Sequence, residues 1–97
     1  MDLSAFTRSL AQQRPPDGLG LALQALWWDM KGDWGEAHRC AQEQEDAAGA
    51  WVHAYLHRSE GDAANAGYWY RRAGKPAASG PLEAEREAIA KALLGEA

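Results

Sequence analysis

Apolar side chains return every three or four residues through most of this chain, the spacing of one helical face, and Gly, Pro and Asp separate six such stretches. Leu3, Phe6 and Leu10 form a single stripe over about residues 2–13, which Pro15-Pro16-Asp17-Gly18 ends. Residues 18–31 are apolar on nearly every side. That predicts a helix buried on more than one face, at the centre of the domain. Gly32 ends it, and Asp33 is suited to cap a third helix, with Glu36 at the capping-box position. That helix carries Ala37, Cys40 and Ala41 inward. A fourth, about 48–60, places Trp51, Val52, Ala54, Tyr55 and Leu56 on one broad arc. A fifth, capped by Asp62, runs to about Ala73 with Ala66, Trp69 and Tyr70 inward. The last, about 81–94, opens on Pro81 and early acids, with Leu82, Ile89 and Leu93 as its stripe. Val52 and Ile89 are the only β-branched aliphatics, and alanine abounds, so the fold class is all-α.

A near-repeat organises the middle of the chain. Lys31-Gly32-Asp33-Trp34-Gly35-Glu36-Ala37 returns 29 positions later as Glu60-Gly61-Asp62-Ala63-Ala64-Asn65-Ala66. Ala25 and Ala54 also correspond. A helix, a Gly-Asp elbow and a second helix, used twice, predict two antiparallel helical hairpins over about residues 19–46 and 47–74. Flanking helices at about 2–13 and 81–94 would cap the ends of so short a stack, giving one helical domain over 1–97.

Ala66-Gly67-Tyr68-Trp69-Tyr70-Arg71-Arg72-Ala73-Gly74, after Glu60-Gly61-Asp62, resembles the second helix of a Sel1-like repeat, a relative of the tetratricopeptide repeat. The resemblance implies a small Ala early in the second helix and an aromatic pair one turn on. Ala37 and Ala66 match the small position, and Trp69-Tyr70 match the pair. The first unit departs from it, with Cys40-Ala41 in place of the aromatics, and the 29-residue offset is shorter than the tetratricopeptide unit of about 34. The chain is also similar to short bacterial proteins of uncharacterised function. What the resemblance implies is a partner-binding scaffold.

Charge narrows the partners. The net charge is −4 and the only basic pair is Arg71-Arg72, so the stripe that nucleic acid or an anionic membrane surface requires is missing. Cys40 is the single cysteine, which excludes an internal disulfide and a Cys-rich zinc site. No basic start precedes an apolar run, and Leu19 to Trp28 is too short to span a bilayer. By elimination a cytoplasmic location is expected.

His53, His57 and Glu60 are the sharpest chemical constellation. Spacings of four and three set them on one helical face, where two imidazoles and a carboxylate can grip a metal. The helical wheel turns the two histidines away from the apolar arc. The repeat register instead sets them against the partner helix, hydrogen-bonded to Asp29 or Asn65 and open to pH control. His38 and Cys40, two residues apart, point to opposite sides of their helix and cannot share a ligand. Nothing near Cys40 supplies an activating base, Gly18-Leu19-Gly20 is no phosphate loop, and no motif implies a cofactor. Trp28, Trp51 and Trp69 read as core. Trp27, Trp34, Arg58 and Arg71 read as partner contacts.

These features together predict a non-enzymatic interaction module. It would bind a protein or peptide segment, or a second copy of the chain. The alternative is a ligand or metal site at His53, His57 and Glu60.

Overall fold

The two Gly-Asp elbows are built by the same bonds. Gly32 and Gly61 both sit at φ +88°, a left-handed conformation that a side chain strains to adopt. The Asp33 N–H donates to the Trp28 carbonyl at 2.9 Å, and the Asp62 N–H donates to the His57 carbonyl at 2.9 Å. That bond closes the helix before each elbow. Each aspartate then opens the next helix: Asp33 accepts from the Glu36 N–H, and Asp62 from the Asn65 N–H, both at 3.1 Å. Glu36 does not reach back to complete a capping box; it pairs with Arg39.

The structure, a computed structural model, describes residues 1–95. Its elements are α1 (Leu3–Arg8), a 3₁₀ turn (Ser9–Ala11), α2 (Leu21–Met30), α3 (Trp34–Glu43), α4 (Ala47–Ser59), α5 (Ala63–Ala73) and α6 (Leu82–Leu94), with no strand among the described residues. The fold is therefore all-α, as the periodicity predicts. Helices α2 and α3 pair across the first elbow, and α4 and α5 across the second. Ala25, Ala37, Ala54 and Ala66 are all buried along these pairs, where a larger side chain would hold the helices apart.

Three expectations change. The central helix is α4, not α2. It packs against α2, α3, α5 and α6, and every residue from Val52 to His57 is buried. The first helix stops at Arg8 and tightens into the 3₁₀ turn instead of continuing to residue 13, because Ser9 is drawn inward. Its hydroxyl donates to the Phe6 carbonyl at 2.6 Å and accepts the Trp27 indole N–H at 2.9 Å. Helix α6 lies against α1, α2 and α4, so the flanking helices meet each other over one side of the hairpins. Ile89 and Ala90 seal that contact, while Leu82 remains exposed in the first turn.

Two polar clamps fix α6. Asp29 accepts from the Tyr55 hydroxyl at 2.8 Å and from Arg86 at 3.3 Å. Glu85 accepts from Arg58 at 2.9 Å and from the Tyr70 hydroxyl, and Arg58 also donates to the Gly80 carbonyl. Burial and the adjacent carboxylates push both tyrosine hydroxyls above the usual phenol range.

Candidate functional site

Position 38 on α3 and positions 53 and 57 on α4 bring three imidazoles into one cluster. The i, i+4 spacing stacks His53 on His57, with ring centroids 4.9 Å apart and planes 19° apart. His38 comes across the α3–α4 contact and stands nearly perpendicular to both, at 85° to His53 and 76° to His57. The Nε2 atoms of His38 and His53 are 2.9 Å apart, a hydrogen bond in which one ring donates and the other accepts. One ring nitrogen from each of the three histidines lies within 4.8 Å of the others.

Two tryptophans brace the cluster. Trp34 stacks on His38 at 4.9 Å, and its indole N–H donates to the Leu56 carbonyl at 3.1 Å, which fixes the ring plane. Trp69 stacks on His53 at 3.9 Å from α5. His53 is 4% exposed and His57 9%, so the cluster is shut away from bulk water on those sides. Of the two sequence readings, burial follows the repeat register. The partners differ from those it suggested: Asp29 is taken by Tyr55 and Arg86, and Asn65 by Asp62.

Glu60 has a different place from the one the spacing suggests. Its Oε1 lies 3.0 Å from His57 Nδ1, and a carboxylate oxygen accepts, so that nitrogen donates and Nε2 is the one left to face the other rings. Glu60, His57 and Asp62 form a second close group, which shares His57 with the three-nitrogen cluster. Glu60 thus orients a histidine in the way that carboxylates orient metal-bound imidazoles.

The environment favours the neutral forms of His38 and His53. Burial, then the charges of His38 and His57, hold the His53 pKa down to about 4. Burial and His57 lower that of His38, with Glu60 opposing. Neutral imidazole is the form that offers a lone pair to a metal.

His38 is the site residue that the sequence reading misses. The available signal is its register: it lies between Ala37 and Ala41, both buried, and one turn after Trp34. Cys40 stays out of the site, as its spacing from His38 requires; it is enclosed in the core, where burial raises its thiol pKa.

The expected partner contacts fare unequally. Trp27 is corrected outright. Its ring is 0% exposed and bonded to Ser9, so it is core and cannot meet a partner, while Trp28, Trp51 and Trp69 are only half-buried. Trp34 is half-buried against the histidines. Arg58 is held by Glu85 and Gly80, and Arg71 is exposed.

A polar cleft of about 600 Å³ adjoins the cluster, with His53 and Trp69 in its lining alongside the α3–α4 turn and Arg72. A smaller apolar one, about 360 Å³, lies between Trp51, Pro76, Ala78, Ala84 and Ala88. No helix among the described residues is long and apolar enough to cross a membrane. The chain matches no protein-family model, no curated protein and no solved structure.

Proposed function

We propose that this protein binds a divalent transition-metal ion through His38, His53 and His57. The observation that carries the reading is the convergence of three buried or half-buried imidazole nitrogens from two helices within 4.8 Å. Imidazole suits zinc, copper and nickel, and three such ligands are a common zinc set. Surface histidines gain nothing from being gathered this way, since burial and mutual repulsion both oppose their charged forms. Braced by two indoles, with His57 oriented by Glu60, they are arranged as ligands.

Calorimetric titration with zinc tests the proposal. One equivalent should bind, and His38→Ala and His57→Ala should each abolish or strongly weaken uptake. Circular dichroism confirms that the variants fold. Zinc uptake unchanged in both folded variants overturns the reading.

The repeat-like elbows and the apolar cleft beside Trp51 favour a second reading, a scaffold for a protein or peptide segment or for a second copy. It calls on Arg71 and the cleft rather than Trp27. Light scattering across a concentration series, with Ala84→Glu as a cleft-blocking variant, tests self-association. A monomer at every concentration excludes the second copy.

A further inference from the structure

We infer that the apolar cleft beside Trp51 binds a medium-chain monocarboxylate, with its tail in the cleft and its head group on Lys75. The inference is independent of the metal reading, since no residue of the histidine cluster lines this cleft. Trp51 comes from α4, and Ala84 and Ala88 come from α6. Both alanines are exposed, and their short side chains leave the space open. The connection from Lys75 to Ser79 completes the lining and is pinned at both ends. At its start the Lys75 N–H donates to the Tyr70 carbonyl at 3.0 Å, and just past its end Arg58 donates to the Gly80 carbonyl. The cleft is therefore preformed, as ligand sites usually are. Its volume of about 360 Å³ is at the small end of ligand-sized cavities, which suits one chain of about eight carbons and not a two-chain lipid.

Charge in the lining selects the head group. Lys75 and Glu85 are the only charged residues there. Glu85 is already committed: its side chain is 7% exposed, one oxygen accepts from Arg58 at 2.9 Å and the other from the Tyr70 hydroxyl. The Arg58 charge cancels its own. Lys75 has no ion-pair partner among the described residues. Its ammonium stands 4.3 Å from the centre of the Trp51 ring, so the one uncompensated charge is held against a residue that forms the cleft itself. A cation resting on an aromatic face keeps its N–H donors for an acceptor. A carboxylate on Lys75 satisfies those donors and balances the charge. The chain behind it then covers the Trp51 ring and the two alanines, at about fourfold in affinity per buried methylene. A cationic head would be repelled by Lys75, and a neutral one would leave its charge unmatched.

Titration of the isotope-labelled chain with octanoate, followed by amide and indole NMR shifts, tests the inference. Octanol and octylammonium keep the tail and change the head, and butanoate keeps the head and shortens the tail. Saturable shifts should centre on the Trp51 indole and on residues 75–79. Octanoate should bind about tenfold or more tighter than octanol or octylammonium, and about fiftyfold or more tighter than butanoate. Lys75→Gln should weaken octanoate about tenfold, with the rest of the spectrum unchanged. Octanol binding as tightly as octanoate, octanoate binding untouched by Lys75→Gln, or no saturable shift at these residues overturns the inference and leaves the metal site standing. Shifts at the same residues that grow with protein concentration alone assign the cleft to a second copy and overturn it as well.

Discussion

His38 and His53 meet nitrogen to nitrogen, 2.9 Å apart, from different helices and fifteen positions apart in sequence. One proton holds them together, and a metal must compete with it. Two nitrogens on a tetrahedral zinc stand about 3.3 Å apart when each bond is about 2.05 Å, so binding requires this pair to separate by a few tenths of an ångström and both rings to turn their lone pairs from each other toward the ion. The donating ring must also move its proton to Nδ1, a change of tautomer with no net loss of charge. The His57 nitrogen, within 4.8 Å of the other two, must close in as well.

Glu60→Gln should weaken zinc affinity by about 10–100-fold without removing a ligand, because it takes away the carboxylate that orients His57. Competition against a chelator of known affinity measures it. An affinity equal to that of the parent protein assigns Glu60 no part in the site.

Acid should destabilise the metal-free protein before most carboxylates titrate. The His53 pKa is held at about 4 in the folded chain and returns to the ordinary 6.5 on unfolding. Below 6.5 the unfolded state therefore takes up the proton first. Stability is complete above that value and falls as pH drops toward 4, by at most roughly 3 kcal/mol for this group. His38 adds in the same direction, and Glu60 opposes it. Urea midpoints at pH 7.5, 6 and 4.5 should descend, and a flat series contradicts the assignment.

Two glycines in adjacent helices should respond oppositely to alanine. At Gly49 a Cβ would stand 1.9 Å from the Gln44 carbonyl oxygen, so Gly49→Ala must displace the α3–α4 turn and should cost about 2–3 kcal/mol. At Gly67 the nearest atom is the mobile end of Arg71, 3.5 Å away. Gly67→Ala should therefore stabilise by about 0.5–1 kcal/mol. Thermal melts of the two variants, moving in opposite directions, check the pair.

Asp29→Ala should cost about 3 kcal/mol, since it strands the Tyr55 hydroxyl and Arg86, whose Nε is already buried without a partner. Arg39→Ala, which removes an exposed pairing with Glu36 and Glu43, should leave urea stability unchanged within error. Equal effects from the two would remove the distinction between clamp and surface.

What the sequence discloses follows the range of each interaction. The elbows are legible because Gly32 and Asp33, like Gly61 and Asp62, do their work within five residues along the chain. The small residues at 25, 37, 54 and 66 are legible for the same reason: each sits at a fixed offset from its elbow. The centrality of α4 is not. His53 and His57 fall on its polar arc, and polarity alone does not show that α3 and α5 cover that arc. His38 escapes because its partners lie on another helix, so only the hairpin register places it beside them. Trp27 and Trp28 are neighbours of identical chemistry, and which ring is enclosed depends on Ser9, eighteen positions away.

X-ray absorption at the zinc edge of the zinc-loaded protein tests the metal centre most directly. The account predicts three imidazole nitrogens at about 2.0–2.1 Å, with one further light-atom ligand. A zinc ion surrounded by oxygen alone, or one whose spectrum is untouched by His38→Ala, contradicts it.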